Sequence, residues 1–198
     1  MDKREGQPIL WRPNWDEYYM KIAIDVAARA TCRFARVGSV IVANDDRRIL
    51  GSGYNGAPKD VEDCLKAGCR KEKKGLEYEK SLNTGQCIGV HAEMNALAHI
   101  TAVHGQEFTL YTTLFPCANC AKNLLPYKLK RIVYKNNYDE SEAETAKSLL
   151  GERKILIERL DMSLQRCLEI DAALNPVKHD VFSREERERL MELIGKLG

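Results

Sequence analysis

Two different spacings of apolar residues run through the first quarter of the chain. Over residues 15–30, apolar side chains recur three and four positions apart, which is typical of an amphipathic helix that packs against a core. Residues 37–42 are rich in valine and isoleucine, and residues 49–54 follow them across a polar turn at residues 44–46. This pattern predicts two short strands joined as a hairpin. The chain is therefore predicted to begin with a helix followed by two strands.

The middle of the chain changes character twice. Between residues 56 and 89 the apolar periodicity fades into a segment that carries three cysteines and is longer than a passive connection usually is. After it, helical and extended patterns alternate. The predicted elements are a helix over residues 92–103, a strand over 109–113, a helix over 116–125, a strand over 131–134, a helix over 140–150 and a strand over 155–160. This alternation predicts an α/β protein with helices on both faces of a sheet.

The residues after 160 follow a different pattern. A helical stretch runs to residue 174, Asn175-Pro176 interrupts it, and Ser183 with Glu186 forms a capping box for a charged final helix. We therefore predict one folded domain over residues 1–160 and a helical C-terminal extension over residues 161–198.

Composition and charge narrow the classes of partner. The chain has 198 residues, of which 44% are hydrophobic and 30% charged, as in an ordinary globular protein. Its net charge of +2 gives no sign of the broad positive field that nucleic-acid binding requires, so a small-molecule substrate is expected and a nucleic-acid partner is not. No apolar run resembles a signal peptide or a membrane span. We expect a cytoplasmic protein without a membrane partner.

The cysteines point to a metal. Cys117 and Cys120 lie three residues apart after Pro116 at a predicted helix start, a spacing that favours metal ligation over disulfides in a reducing compartment. His91, at another predicted helix start, supplies a third ligand. Three ligands leave a fourth tetrahedral position for water, which is typical of a catalytic zinc site. Glu93, at the same helix tip, is placed to move protons to and from a substrate.

Three segments carry motifs that occur together in one group of enzymes. They are Gly53-Tyr54-Asn55-Gly56, His91-Ala92-Glu93-Met94-Asn95, and the run from Tyr111 to Lys122 that contains Pro116-Cys117-Ala118-Asn119-Cys120. His-x-Glu followed by Pro-Cys-x-x-Cys is the signature of zinc nucleobase deaminases in general. The Gly-Tyr-Asn-Gly segment and the Met94-Asn95 pair after Glu93 narrow the choice. With them, the chain resembles the deoxycytidylate deaminase family of the zinc-dependent cytidine deaminase superfamily. The resemblance runs from about residue 15 to residue 160, which makes residues 1–160 the expected catalytic domain.

This resemblance implies a three-layer α/β/α cytidine deaminase-like fold with a mixed central sheet. It implies hydrolytic deamination of dCMP to dUMP with release of ammonia, in pyrimidine deoxynucleotide metabolism, with Zn²⁺ as cofactor. It also implies a homo-oligomer, often a hexamer, that dCTP and dTTP often regulate. The residues to which it assigns roles are Glu93 as catalytic residue, His91, Cys117 and Cys120 as metal ligands, and Asn55, Ala92 and Tyr138 as nucleotide contacts.

The sequence offers two candidates for the phosphate contact. Bacterial relatives tend to carry a basic residue two places after the cysteine that corresponds to Cys32, and here Phe34 occupies that position. Arg33 and Arg36 lie on either side of it, and either could bind a phosphate, or both could be solvated surface charges. The charged run from Lys71 to Lys74 is interpreted as a solvated surface.

A second set of cysteines lies outside the catalytic motif. Four thiolates could close a structural zinc site and order the long segment between residues 56 and 89. The alternative is four separate thiols, because the spacing from Cys64 to Cys69 is wider than in common zinc knuckles. The hypothesis is a second, structural zinc bound by Cys32, Cys64, Cys69 and Cys87.

Other functions share parts of this pattern. A deaminase of a polynucleotide base, acting on tRNA adenosine or on cytidine in single-stranded DNA or RNA, has the same zinc core, but its substrate needs basic grooves and stacking platforms that this composition does not favour. Another free cytosine nucleotide, such as dCTP, is a closer alternative. A zinc-stabilised binding module without catalysis would have no use for Glu93.

Overall fold

The computed structural model describes residues 12–76, 87–100, 105–137, 140–174 and 189. The chain divides into two compact units, one formed by Asn14–Met162 and the other by Met1–Pro13 with Ser163–Gly198. In the second unit the described element is helix α7 (Leu164–Leu174), which agrees with the helical stretch expected up to residue 174. The predicted final helix and its capping box lie outside the described residues. No helix within the described ranges has the length and apolar character needed to cross a bilayer.

A mixed five-stranded sheet forms the middle layer of the Asn14–Met162 unit. The strands, in chain order, are β1 (Gly38–Ala43), β2 (Ile49–Tyr54), β3 (Phe108–Leu114), β4 (Leu129–Asn136) and β5 (Leu156–Arg159). Their spatial order is β2-β1-β3-β4-β5, with β1 antiparallel to both its neighbours and β3, β4 and β5 parallel. Every residue of β1 is buried, as expected for a strand covered on both faces. The mixed sheet agrees with the predicted fold class.

Helices cover both faces of this sheet. The helices of this unit are α1 (Trp15–Ala27), α2 (Cys64–Ala67), α3 (Arg70–Lys73), α4 (Ala92–Ala98), α5 (Ala118–Leu124) and α6 (Glu140–Glu152). The tyrosine rings of α1 and β3 pack together at Tyr19 and Tyr111, with centroids 5.1 Å apart. The other face of the sheet forms the main core with α4, α5 and α6, through Ile41, Leu110, Ile132, Ala96, Leu124 and Ala146. The three-layer α/β/α arrangement is thus confirmed.

Helix α1 begins at a complete capping box. The Asn14 side chain accepts a hydrogen bond from the Glu17 backbone N–H, and the Glu17 carboxylate accepts one from the Asn14 backbone. The helix ends three residues earlier than the pattern predicts, because the N–H groups of Ala28 and Arg29 bond to carbonyls only three residues back. This tight turn directs the chain toward Thr31 and the start of β1.

Glycines let both helical layers approach the sheet backbone. A Cβ at Gly38 would lie 2.1 Å from the Ala23 carbonyl oxygen of α1, and a Cβ at Gly53 would lie 2.3 Å from the Ala96 backbone nitrogen of α4. Real Cβ atoms do not approach so closely, so only glycine fits at these positions. The Gly-Tyr-Asn-Gly segment therefore includes a strand residue that seats α4 against β2.

The long segment after β2 is more ordered than its sequence indicates. It forms the single-turn helices α2 and α3, and Asp63 caps α2 by accepting bonds from the backbone N–H groups of Leu65 and Lys66. The expectation of a solvated surface from Lys71 to Lys74 is wrong at its first residue, because Lys71 is only 4% exposed. Burial there comes from tertiary packing, which the local charge pattern does not record.

The Ala-rich helix α4 is described only as far as residue 98, whereas the pattern predicts helix to residue 103. Residues 101–104 lie outside the described part of the chain. The remaining predicted helices and strands of this unit appear with ends that differ from the prediction by at most two residues.

Candidate active site

One histidine and two cysteines meet at one end of the sheet. His91 Nδ1 lies 3.5 Å from Cys117 Sγ and 3.3 Å from Cys120 Sγ, and the three donor atoms lie within 4.8 Å of one another. A tetrahedral zinc ion with ordinary Zn–S and Zn–N bonds would hold nitrogen and sulfur about 3.6 Å apart. The donor set therefore fits a zinc ion in both chemistry and spacing.

The tips of two helices position these donors. His91 is the N-cap residue of α4, and Cys117 is the N-cap residue of α5. The sequence pattern places Cys117 and Cys120 on one helix face, but Cys117 precedes the helix and its sulfur accepts a hydrogen bond from the Cys120 backbone N–H at 3.5 Å. An N-cap side chain folds back over the first turn, and this brings the two sulfurs together.

Hydrogen bonds link the imidazole of His91 to both thiols. Hydrogen bonds from Cys120 and from His91 lower the pKa of the Cys117 thiol to about 4. Donation of the Cys120 proton to Cys117, together with burial, raises the pKa of Cys120. The bond with Cys117 also raises the pKa of His91, and the positive charge of Lys71 acts in the opposite direction. A divalent cation binds deprotonated ligands and displaces the protons between them. A thiol whose pKa is lowered in this way is therefore suited to bind the cation.

Glu93 lies beside this centre in the first turn of α4. It is 4% exposed, and burial raises the pKa of its carboxyl while the nearby His91 charge opposes the shift. Cys120 and the Glu93 backbone N–H also oppose the upward shift of this pKa. A buried carboxyl with a raised pKa next to a metal site has the properties of a proton-transfer group.

The donors and Glu93 open into a cavity with apolar walls. The lining residues are Ala35, Val37, Asn55, His91, Ala92, Glu93, Leu114, Phe115 and Cys117. Sequence reasoning named five of these and missed Ala35, Val37, Leu114 and Phe115. Phe115 is held edge-to-face against Tyr134, with ring centroids 4.8 Å apart. Its position directly before the Pro-Cys motif was the available signal, but a wall residue of this kind has no chemistry of its own to mark it.

Asn55 has a structural task in addition to lining the cavity. Its side-chain oxygen accepts a hydrogen bond from the Val37 N–H at 2.8 Å, and its side-chain nitrogen donates to the Ala35 carbonyl at 2.9 Å. One N–H and one lone pair of the amide remain for a ligand. Ala92 is fully buried at the cavity wall. Tyr138, the third expected nucleotide contact, lies outside the described residues.

The two candidate phosphate residues differ in their surroundings. Arg33 makes an ion pair with Glu72 at 3.0 Å, and both side chains are about half exposed. Arg36 is exposed and lies between Ala35 and Val37, which both line the cavity. Neither arginine is among the residues that line the cavity in the described part of the chain.

Four other cysteines belong to the predicted second site, namely Cys32, Cys64, Cys69 and Cys87. All four are free thiols, with Cys69 buried and Cys87 exposed. Burial raises the pKa of Cys64, and the next contributions come from the charges of Cys69, Cys32 and Cys87, so all three lie within electrostatic range of it. Among the described residues, however, the group of three or more metal donors that lie within 4.8 Å of one another is His91, Cys117 and Cys120. The four cysteines of the second site do not form such a group there.

A family model and individual relatives of similar sequence both point to the same protein family. The sequence model described as "cytidine and deoxycytidylate deaminase zinc-binding region" matches residues 13–136. The deoxycytidylate deaminase of Mycobacterium phage D29 is 37% identical over 126 residues, which cover 62% of this chain and 95% of that protein. The deoxycytidylate deaminase of Saccharomyces cerevisiae is 36% identical over 142 residues, which cover 71% of this chain and 44% of that protein.

A solved structure of a dCMP deaminase has the same fold as this chain. The dCMP deaminase of cyanophage S-TIM5, crystallised in complex with dCMP and dUMP, superposes with a TM-score of 0.60 at 25% identity, covering 76% of this chain and 99% of that chain. The match covers 44% of the Saccharomyces cerevisiae protein and 40% of the deoxycytidylate deaminase of Schizosaccharomyces pombe, so the chain spans less than half the length of these two relatives. The lengths of the family members therefore differ outside a shared core.

Proposed function

The chain belongs to the cytidine and deoxycytidylate deaminase zinc-binding family, and from this premise we propose that it catalyses the hydrolytic deamination of dCMP to dUMP with release of ammonia. The single observation that carries the proposal is the meeting of His91, Cys117 and Cys120 beside the buried carboxyl of Glu93. A closed structural metal site would need a further protein ligand at that position and would have no use for the carboxyl.

The residues of this site divide the chemistry between them. His91, Cys117 and Cys120 would hold the zinc ion, which supplies the Lewis acidity that makes a hydroxide nucleophile available at neutral pH. Glu93 takes a proton from the attacking water and delivers it to ring N3 as the new oxygen bond forms at C4. It then carries a second proton to the exocyclic amino group, the C4–N bond breaks, and ammonia leaves.

The cavity walls suit a flat ring with one polar edge. Val37, Leu114 and Phe115 present apolar surface that excludes bulk water, and Ala92 leaves room beside the metal donors. Asn55 can direct its remaining N–H and lone pair at the sugar or base. Exclusion of water strengthens the interactions of Glu93 with the substrate, because the local dielectric constant falls.

Turnover of defined substrates tests the proposal. Zinc-loaded protein would be given dCMP, dCTP, deoxycytidine and single-stranded DNA while ammonia release is followed, and dCMP is expected to react fastest. Glu93→Gln should lower kcat by about 1,000-fold or more while zinc stays bound, since general acid–base catalysis contributes factors of this size. Glu62→Gln, at an exposed glutamate, is the matched control and should behave as wild type. Equal or faster turnover of single-stranded DNA would contradict the proposal.

A second proposal concerns the cysteines outside the cavity. We propose that Cys32, Cys64, Cys69 and Cys87 bind a structural zinc. They come from three separate stretches, and Cys64 and Cys69 stand at the starts of two single-turn helices that have little apolar surface to stabilise them. A metal ion would join these stretches, and the electrostatic proximity of the other three sulfurs to Cys64 supports this.

Metal analysis of purified variants tests the structural zinc. Wild type should contain two zinc ions per chain, and Cys64→Ser and Cys117→Ser should contain one each. Cys167→Ser, which belongs to neither set, should keep two. One zinc per wild-type chain would remove the second site and leave the catalytic one.

The resemblance also supports three further proposals. We propose that the protein acts in the cytoplasm as a homo-oligomer, with a hexamer expected, and that dCTP and dTTP regulate it as activator and inhibitor. Light scattering of the zinc-loaded protein gives the subunit number. Rates at low dCMP with each triphosphate added show whether regulation occurs.

A further inference from the structure

The last glycine of the Gly-Tyr-Asn-Gly segment makes a contact that the proposed chemistry does not use. Gly56 forms an isolated antiparallel bridge with Val90, in which the Gly56 N–H donates to the Val90 carbonyl at 3.1 Å and the Val90 N–H donates to the Gly56 carbonyl at 2.8 Å. Val90 directly precedes His91, which caps α4 and supplies a metal donor. The position of Gly56 therefore sets where the chain enters the metal site.

Thr31, which follows the end of α1, holds the residues on both sides of Gly56. Its backbone N–H donates to the Asn55 carbonyl at 3.1 Å, and its hydroxyl oxygen accepts a bond from the Ala57 N–H at 3.2 Å. Asn55 also lines the cavity. Thr31 thus joins α1 to the stretch that carries the bridge.

Residue 56 is a glycine because Thr31 lies against it. A Cβ at this position would lie 2.5 Å from the Thr31 hydroxyl oxygen and 3.5 Å from the Thr31 Cβ. Gly56 is not among the described residues with a positive φ, so the backbone conformation alone would allow other residues there. The requirement is steric and comes from one side chain. Rotation of Thr31 would not relieve it freely, because its branched Cβ restricts χ1 and the bond with Ala57 would break.

We propose that Gly56 and Thr31 are positioning residues for the metal centre. Their contact fixes the bridge between Gly56 and Val90, and the bridge holds the imidazole of His91 beside the two cysteine donors. This inference rests on the zinc site of the proposed deaminase and does not depend on the identity of its substrate.

The rate of zinc release to a chelator tests this role without a nucleotide. In Gly56→Ala, residue 56 or Thr31 must move by about 1 Å to restore van der Waals contact. Zinc should leave the His91 site about 10- to 100-fold faster than in wild type, the range for lost support of a metal ligand. The release phase that is missing in Cys117→Ser identifies this site, whatever other metal the chain holds.

A second substitution, Thr31→Ala, makes the test specific to this contact. It removes the oxygen that lies 2.5 Å from the added Cβ, and the nearest remaining atom of residue 31 is then 3.5 Å away, an ordinary contact. Zinc release from the double variant Gly56→Ala/Thr31→Ala should therefore be close to that from Thr31→Ala. Thr31→Ala loses one hydrogen bond and should release zinc at most about fivefold faster than wild type. Thr31→Ser keeps the hydroxyl and should match wild type.

Gly53→Ala is the matched control within the same segment. Its added Cβ would lie closest to backbone atoms of α4, so adding Thr31→Ala should not slow its zinc release. The proposal is overturned if the double variant releases zinc as fast as Gly56→Ala, or if folded Gly56→Ala releases it at the wild-type rate. If Gly56→Ala alone does not fold, the double variant decides. A folded double variant that keeps its zinc supports the proposal, and one that fails to fold or loses zinc quickly overturns it.

Zinc release and turnover can fail separately. A wild type that shows this suppression but does not convert dCMP would overturn the proposed function and keep the positioning role. A wild type that converts dCMP, together with a Gly56→Ala protein that keeps its zinc, would overturn the positioning role and leave the proposed function in place.

Discussion

Replacement of Gly53 by alanine would force α4 away from the sheet. The new Cβ would lie 2.3 Å from the Ala96 nitrogen, 2.5 Å from the Ala92 carbonyl oxygen and 2.7 Å from the Asn95 carbonyl carbon. These are backbone atoms of a helix and cannot rotate aside. Ordinary van der Waals contact begins at 3.4 Å, so α4 or β2 must move by about 1 Å, with the cost typical of overpacking.

The magnitude of the effect follows from what α4 carries. His91 caps this helix and Glu93 lies in its first turn, so a shift of the helix misplaces a metal donor and the proton-transfer group together. A misplacement of about 1 Å costs about 100-fold in rate, and overpacking costs about 1–3 kcal/mol of stability. Gly53→Ala should therefore lower kcat for dCMP by about 100-fold and the free energy of unfolding by about 2 kcal/mol.

Ammonia release from dCMP and urea denaturation measure both quantities, and zinc content shows whether the metal site survives. Gly151→Ala is the control, since a Cβ at this glycine of α6 would meet nothing within 4 Å. Its kcat should equal that of wild type, and its stability should rise by up to about 1 kcal/mol because alanine favours the helix. Wild-type kcat in a destabilised Gly53→Ala protein would refute the link between α4 seating and catalysis.

Two further predictions concern side chains that join separate elements. Arg131 holds the pKa of Asp16 below its usual value through a bidentate contact at 2.7 Å, so the stabilisation is present above about pH 4 and is lost as pH falls through the folded-state pKa. After allowance for solvent screening, the free energy of unfolding of Asp16→Asn in urea should be about 1 kcal/mol below that of wild type. This difference should stay constant from about pH 8 to 5 and shrink below about pH 4. A difference that narrows between about pH 8 and 6 would contradict the prediction. Asn55→Ala removes both bonds that fix Ala35 and Val37, so stability should fall by about 2 kcal/mol and KM for dCMP should rise. Asn95→Ala, which loses one bond to the Tyr54 carbonyl, should lose about half as much stability and keep the wild-type KM; equal KM changes in both variants would refute a cavity role for Asn55.

The metal donors could be predicted from the sequence because their placement is local. His91 and Cys117 each cap a helix, so a short motif fixes both the residue type and its position at a helix tip. The same holds for strand β1, whose apolar run marks burial on both faces. Local patterns of this kind do not depend on which distant segment packs nearby.

Lys71 shows where such prediction ends. Three lysines and a glutamate in succession indicate a solvated surface, and for Lys73 and Lys74 that holds. The next residue, Glu72, makes an ion pair with Arg33, thirty-nine residues earlier in the chain. A contact over that separation leaves no trace in local periodicity. Asn55 is similar, since its hydrogen bonds to residues 35–37 cannot be inferred from a turn-like sequence.

The sheet register separates the part of the site that carries the metal donors from the cavity wall at residues 35–37. Gly38 pairs with Tyr54 and Ser39 pairs with Thr112, so the start of β1 and the ends of β2 and β3 lie at the same end of the sheet. The N-termini of α4 and α5, which carry the metal donors, lie at this end of the sheet. A displacement of either helix would move a donor atom of the metal site. The wall at residues 35–37 and helix α3 belong to segments outside the sheet. Substitutions in the wall at residues 35–37 should therefore change the fit of a substrate in the cavity without displacing Glu93.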